Sequence, residues 1–281
     1  MNNFNHNRNV VDTKFNKGFT LLEVLIALLI ISFLSFGVAS TLKITRDFDH
    51  YEENEKKLMQ VRTALLTFVQ INGYLPCPDG DGNGRENRAL AAPFNCTVQE
   101  GTLPYIDVGV SAADAWNNPW FYGVNRDADG ANIGLNASPA AYFNNQLVTM
   151  PGASFPAPFF GMATLPLGAD VAGFGDGAGN YQVCSREEAG DCVAGSNVIE
   201  AAAIAVIVSF GRNGAQTWES YRNNTVVGFS PAEAENIDRD RNVWQARPSD
   251  VAGQAFDDQV VWLSGYDVKY AIFKSNRGLL D

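Results

Sequence analysis

Few side chains in this 281-residue chain have the types and spacing that chemistry requires. The two histidines, His6 and His50, both precede residue 51. The rest of the sequence therefore cannot build a Ser-His-Asp triad, a Cys-His pair or a His-ligated zinc site. The remaining candidates are a glutamate inside an apolar run, four cysteines, an Asp/Gly-rich run and the pair Asp257-Asp258.

Glu23 is the only ionisable side chain between Phe19 and Leu42, and a leader with a small basic excess precedes this run. As a helix the run measures about 36 Å, enough to cross a bilayer core of about 30 Å. The basic excess predicts a cytoplasmic N-terminus, with the remainder of the chain outside the cytoplasm. An ionisable side chain in a membrane helix is costly and by default has a partner and a function.

Two simpler interpretations leave Glu23 unexplained. A secretory signal peptide has an apolar region of about 7 to 15 residues before a small-x-small cleavage site. Gly37-Val38-Ala39 has that pattern, but the apolar run is too long. A plain signal anchor fits the length and gives the carboxylate no purpose.

The residues KGFTLLEVLIAL, Lys17 to Leu28, resemble the N-terminal signal of type IV pilins and type II secretion pseudopilins. In that family prepilin peptidase cleaves after the glycine, here Gly18, and methylates the new first residue, here Phe19. The resemblance also implies that Glu23 pairs with the freed amine of a neighbouring subunit during assembly. In hydrocarbon neither charge has water as a partner, so such a pair selects the correct register. The alternative is that Glu23 extends to the lipid headgroups.

The resemblance implies an α+β, pilin-like fold, with a long N-terminal helix packed on an antiparallel β-sheet with long loops. The predicted parts are a cleaved leader (1–18), a transmembrane and filament-core half of the helix (19–42), an amphipathic half (43–72) and a β-rich head (73–281). Few charges and many Gly, Ala and Pro predict a loop-rich insertion at about 127–197.

The helix is predicted to continue through residues 38–72, because no Pro or Gly interrupts them. It is predicted to end at Asn72-Gly73, since this pair is a helix stop signal. An apolar stripe along it predicts a face that packs on the head; its members are Ile44, Phe48, Tyr51, Leu58, Val61, Leu65 and Phe68. Beyond the helix, the sequence predicts strands at Pro119 to Val124 and Ala202 to Phe210, a short helix near Pro231 to Asn236, and one or two strands over Asp257 to Lys274.

Two groups of aspartates have predicted structural roles. The stretch from Gly101 to Asn125 resembles the segment after the long helix of many pseudopilins and minor pilins. In it, Asp114, Trp116 and Asn118 are expected to build a turn that fixes the loop on the core. Asp257-Asp258 reads as caps or turns, and the alternative is a pair of acid/base carboxylates.

The four cysteines all follow the apolar run, where the predicted topology places an oxidising compartment. Sequence alone leaves three connectivities open. The local pairing of Cys77 with Cys96 and Cys184 with Cys192 is favoured because each bridge closes a short loop.

The run from Asp79 to Gly84 resembles the opening of a calcium loop, with Asp79, Asp81 and Asn83 as candidate ligands. The match then fails, because position twelve is Leu90 where a glutamate is needed. An Asx/Gly turn without metal is the other interpretation, and calcium is the only cofactor that the sequence suggests.

These observations favour a minor pilin or minor pseudopilin over an abundant shaft subunit, for which residues 19–281 would be long. The implied partners are prepilin peptidase, other pilin or pseudopilin subunits and the inner-membrane assembly platform. The implied location is the bacterial inner membrane, single-pass with a periplasmic head, and then the filament. A net charge of −11 without a basic cluster argues against direct nucleic-acid binding.

Two other functions are considered. The chain could be a filament-borne adhesin or receptor whose region 127–197 binds a surface. A membrane-anchored enzyme, such as a carboxylate-dependent glycosidase, is the second, and the sequence offers no compact catalytic motif for it. We therefore predict that the chain is not an enzyme.

Overall fold

The computed structural model describes residues 20–72, 75–89, 96–124, 181–185, 197–251 and 253–274. Of residues 37–46, 202, 269, 272 and 273 it describes the backbone alone. The chain divides into two compact units, Met1–Asp49 and His50–Asp281.

Helix α1, Leu21–Asn72, is 52 residues long and ends where the sequence predicts. In the first unit, every described side chain from Leu21 to Phe36 is exposed. Leu21 is 84% exposed and Phe36 is 76% exposed. Apolar side chains on all sides of a helix need a cover other than water. This part of α1 therefore requires lipid or other helices around it.

In the second unit, one face of α1 is buried in the core through Leu58, Val61, Leu65 and Val69. This confirms the central part of the predicted stripe. Phe48, another member of the predicted stripe, belongs to the first unit and is 69% exposed. The helix period of 3.6 residues, rather than a strict seven-residue repeat, sets the buried face.

The head contains one six-stranded sheet in the described residues. Its order is β1-β2-β4-β3-β5, and β6 also pairs with β4. The strands are β1 (Glu100–Thr102), β2 (Phe121–Val124), β3 (Tyr181–Ser185), β4 (Val198–Ser209), β5 (Asn242–Gln245) and β6 (Gln259–Ser264). The β3–β5 pair is parallel and the other pairs are antiparallel. The α+β prediction is confirmed, with a mixed sheet in place of a wholly antiparallel one.

Short helices connect and cover the strands: α2 (Tyr105–Val108), a 3-10 turn (Gly211–Asn213), α3 (Gly214–Asn223), α4 (Pro231–Glu235) and α5 (Gly265–Lys274). The predicted strands near β2 and β4 and the predicted helix at α4 are confirmed. Helix α3 was not predicted.

The prediction of strand over the whole of Asp257 to Lys274 is wrong in its second half, where α5 forms. Ser264 and Asp267 cap this helix reciprocally, because the Ser264 hydroxyl accepts from the Asp267 N–H and the Asp267 carboxylate accepts from the Ser264 N–H. Val268 and Ala271 are buried one turn apart. The cap and the helical spacing together select helix over strand.

The core lies on both faces of the sheet. Residues from α1, β2 and β4 form one cluster, which includes Leu65, Trp120 and Ile207. A second cluster lies on the opposite face of the sheet. In it aromatic rings pack edge to face, and the ring centroids of Phe210 and Trp218 are 5.4 Å apart. The sheet is thus a fixed platform on which the loops of the head are held.

Candidate assembly site

The first turn of α1 holds Glu23 in a capping box with Thr20. The Glu23 N–H donates to Thr20 Oγ1 over 3.2 Å, and Glu23 Oε2 accepts from the Thr20 N–H over 2.9 Å. The Thr20 hydroxyl also donates to Oε2, over 3.0 Å. The sequence TLLE has the Thr-x-x-Glu pattern of this motif, so the pattern could have been found in the sequence, but we did not use it.

The capping box directs the Glu23 carboxylate toward the N-terminal end of the helix. Both hydrogen bonds from Thr20 to the carboxylate use Oε2, and among the described residues Oε1 accepts no hydrogen bond. The helix N-terminus favours negative charge there. The carboxylate can therefore receive an amine through Oε1 while its other oxygen holds the first turn.

The two predicted processing residues, Gly18 and Phe19, lie outside the described residues. Thr20 directly follows Phe19 in sequence, so the capping box begins at the second residue of the predicted mature chain. The roles of Gly18, Phe19 and Glu23 stay predictions.

A disulfide joins Cys77 and Cys96, whose Cα atoms are 5.2 Å apart. This confirms the first predicted bridge. Cys184 is also disulfide-bonded. Cys192, its predicted partner, lies outside the described residues.

The candidate calcium loop forms a turn around Asp79. Its carboxylate accepts from the N–H groups of Gly82 and Gly84, each over 2.7 Å, and from the Thr102 hydroxyl. Burial acts to raise the pKa of Asp79, but the hydrogen bonds from Gly84 and Gly82 hold it below its usual value. This arrangement is an Asx/Gly turn that needs no ion to satisfy Asp79.

The other two predicted ligands take part in the same turn. Asp81 accepts from the backbone and side-chain N–H groups of Asn83, and Asn83 accepts from the Arg85 N–H. Calcium binding at Asp79, Asp81 and Asn83 stays a prediction.

Asp114 is the centre of the predicted turn. Its Oδ1 accepts from the N–H groups of Trp116 and Asn118, and its Oδ2 accepts from the Ser209 hydroxyl over 2.6 Å. The Lys57 ammonium of α1 donates to the Asp114 carbonyl. Burial raises the pKa of this carboxyl despite these bonds. The predicted turn therefore forms at Asp114, and in the structure it also joins α1 to the end of β4.

Asp257 and Asp258 are both buried. Asp257 accepts from the Arg212 N–H over 3.0 Å and so caps the 3-10 turn, while Asp258 accepts from the Asn236 amide over 2.8 Å. The structural interpretation of this pair is confirmed.

Glu235, Asp238 and Asp240 bring carboxylate oxygens within 4.8 Å of one another, a grouping that the sequence analysis missed. The alternation of Asp238, Asp240 and Asn242 was the available signal. Asp240 accepts from both N–H groups of Asn242, over 2.6 Å and 2.7 Å, so these residues build a turn that leads into β5.

The predicted insertion at about 127–197 lies outside the described residues except for Tyr181–Ser185 and Asn197. Those five residues form β3, which lies between β4 and β5. This part of the predicted insertion thus belongs to the sheet.

Residues 13–39 match the prokaryotic N-terminal methylation motif. No curated protein and no solved structure matches the chain. The motif defines a prepilin-type N-terminus, and the α+β fold with an N-terminal helix is consistent with a pilin-like fold. The motif implies a prepilin-like N-terminus that prepilin peptidase processes, as in pilins and pseudopilins, which are typically structural and not enzymatic.

A prepilin-type N-terminus indicates the inner membrane and then a pilus as the location. None of the helices within the described residues combines the length and apolar character that a membrane crossing requires. The span predicted over residues 19–42 starts at Phe19 and includes side chains that are not described, and it stays a prediction.

Proposed function

We propose that the chain is a minor pilin or minor pseudopilin that is cleaved between Gly18 and Phe19, methylated at Phe19 and assembled into a filament. Before assembly it lies in the bacterial inner membrane as a single-pass protein, with a cytoplasmic N-terminus and a periplasmic head. The inner-membrane assembly platform and other pilin or pseudopilin subunits are its partners.

The observation that carries the proposal is the first part of α1, where apolar side chains are exposed all round and one acid lies in the first turn. Lipid covers such a surface before assembly, and the helices of neighbouring subunits cover it afterwards. Extraction from lipid exchanges one apolar environment for another, so the hydrophobic effect alone does not set the position of the helix along the filament.

The ion pair of Glu23 sets the position of the helix along the filament. Its Oε1 receives the amine of Phe19 on a neighbouring subunit, while Oε2 stays on Thr20. An unpaired carboxylate in hydrocarbon costs several kcal/mol, so a misaligned subunit is disfavoured by about that amount. The capping box reduces the entropy lost on pairing, because the carboxylate is already directed toward the helix end.

The size and composition of the head support a minor position. After Asn72 the described residues form a sheet and a disulfide, and the whole chain carries a net charge of −11. Close packing of many identical acidic heads along a shaft would cost electrostatic repulsion. A position that is occupied once or a few times avoids this cost.

The pairing role is tested by comparing Glu23→Gln with Leu22→Gln. Glu23→Gln keeps the capping acceptor and removes the charge, so we expect incorporation into filaments to fall at least about tenfold, since the ion pair is lost. Leu22→Gln places the same polar amide on the neighbouring residue, which is 65% exposed, and controls for polarity in the helix. Incorporation is measured by immunoblotting of sheared filaments against the membrane fraction.

Equal incorporation of Glu23→Gln and the unaltered chain would exclude the pairing role. A defect in Leu22→Gln as large as that in Glu23→Gln would show that polarity, and not the charge, is responsible.

A further inference from the structure

Three carboxylic acids that filament assembly does not use are buried close together in the head. Asp257 and Asp258 directly precede β6, and Glu233 belongs to α4. Asp257, Asp258 and Glu233 are 5%, 1% and 5% exposed, respectively. Carboxylates at such depth interact strongly, because little water separates them.

Each of the three acids is bonded to a different neighbouring group. Asp257 Oδ2 accepts from the Arg212 N–H in the 3-10 turn over 3.0 Å. Glu233 Oε1 accepts from the Asn213 amide over 3.1 Å, and Asp258 Oδ2 accepts from the Asn236 amide over 2.8 Å. The cluster thereby fastens the 3-10 turn and α4 to the start of β6.

The 3-10 turn closes directly over Asp257. Gly211 has φ of +57°, and a Cβ at this position would collide with the carbonyl oxygen of Asp257 and lie 2.9 Å from its Oδ1. Glycine is required here for both the backbone conformation and the close approach. Any loosening of the turn therefore exposes Asp257 to water.

Among the residues that the structure describes, Arg212 brings positive charge to the edge of the cluster. The Arg212 Nε lies 4.0 Å from Asp257 Oδ2, while the same guanidinium contacts the exposed Asp250 over 2.6 Å. The Arg212 side chain is 42% exposed, so water weakens its effect on the acids.

Two oxygens of the cluster are buried without a hydrogen bond in the part of the chain that the structure describes: Oδ1 of Asp257 and Oδ1 of Asp258. A charged oxygen in this state is costly, whereas the oxygen of a protonated acid is much less so. The geometry favours the protonated form of both aspartates.

We propose that Glu233, Asp257 and Asp258 form a pH-sensitive latch, closed when the aspartates are protonated and loosened when they ionise. In the loosened state α4 and the 3-10 turn separate from the start of β6. The latch is independent of the proposed assembly function, because it lies wholly in the head and involves no residue of the capping box.

The direction of the pH effect follows from Asp257. Burial and the nearby charge of Glu233 raise the pKa of Asp257 to about 6, although the backbone N–H groups of Arg212 and Asn213 and the charge of Arg212 act to lower it. Burial also raises the pKa of Asp258 well above its usual value. When the latch opens, an aspartate regains a pKa of about 4, so the closed state binds more protons. Stability of the closed state therefore falls as the pH rises through 6.

Hydrogen exchange of the full chain in detergent micelles tests this inference. Amides of the 3-10 turn and α4 are compared at pH 5.0 and pH 7.5, after correction for the intrinsic exchange rate. A pKa of about 6 in the closed state and about 4 in the open state predicts an equilibrium constant for opening that is about tenfold larger at pH 7.5 than at pH 5.0. The amides of β1 and β2 serve as an internal reference, because these strands pair with each other and with β4 and not with β6.

Three variants separate titration from structure. Asp257→Asn still accepts from the Arg212 N–H but cannot ionise, so it should abolish most of the tenfold change. Glu233→Gln should shift the midpoint of the change to lower pH, because it removes a negative charge near Asp257. Asp250→Asn, at an exposed partner of Arg212, should change the pH dependence little.

Exchange of the 3-10 turn and α4 that is the same at both pH values would overturn the latch. A pH effect that persists unchanged in both Asp257→Asn and Glu233→Gln would also overturn it, since the titrating group would then lie elsewhere.

Discussion

Individual carboxylates organise the start of α1 and two turns of the head by accepting hydrogen bonds. Glu23 is directed by Thr20, Asp79 organises one loop, and Asp114 joins α1 to β4. The types of these residues and their short-range partners could be predicted from sequence, because Asx turns and capping boxes are local patterns. The Ser209 partner of Asp114 is 95 residues away in sequence, so no local pattern could reveal it.

Asp114 provides a stability prediction with a matched control. Asp114→Ala leaves two N–H groups of the turn and the buried Ser209 hydroxyl without their acceptor, and we expect a loss of about 2 to 4 kcal/mol in the free energy of unfolding. Asp114→Asn keeps one acceptor for the turn and should lose less than half as much. Urea denaturation followed by tryptophan fluorescence measures both; equal losses would show that the hydrogen bonds to Oδ1 do not matter.

The helices and strands differ in how well the sequence predicts them. Helix α1 and strand β4 are long and have clear patterns; α1 ends at the predicted residue, and β4 forms but begins four residues before the predicted Ala202. Strand β3 has five residues, lies in a Gly-rich region and is defined by pairing with β4 and β5. Helix α5 contains residues that also favour strands, and its capping box decides between the two. Elements that depend on distant partners are those the sequence did not predict.

The buried face of α1 provides a prediction for that element. Leu65 is fully buried against the sheet, so Leu65→Ala should cost about 2 to 5 kcal/mol, because a cavity remains where the side chain was. Met59 lies on the other side of the same helix and is 49% exposed, and Met59→Ala should cost about 1 kcal/mol or less. Thermal unfolding of both variants measures this difference, and similar losses would contradict the assigned face.

The whole molecule combines two units with different requirements. The first unit presents apolar side chains that need lipid or other helices, and the second has its own core and a disulfide between Cys77 and Cys96. The class of fold followed from the N-terminal motif, because that motif is specific. The order of the strands and the parallel β3–β5 pair did not follow, because sheet order depends on contacts between distant segments.

The disulfide gives a prediction for the stability of the whole head. It links residues 19 positions apart, and Cys77→Ser with Cys96→Ser should lower the free energy of unfolding by about 3 kcal/mol. The double variant and the unaltered chain are compared by urea denaturation without reductant. With dithiothreitol added, the difference between them should shrink; a difference that does not respond to reductant would show that the loss comes from packing and not from the cross-link.

The identity of the first residue in the native protein tests the central claim most directly. Intact-mass and N-terminal peptide mass spectrometry of protein isolated from its own membranes or filaments should find N-methylated Phe19 as the first residue. A native chain that begins at any other residue, or an unmodified full-length chain in assembled filaments, would contradict the account of processing and of the pairing between Glu23 and the freed amine.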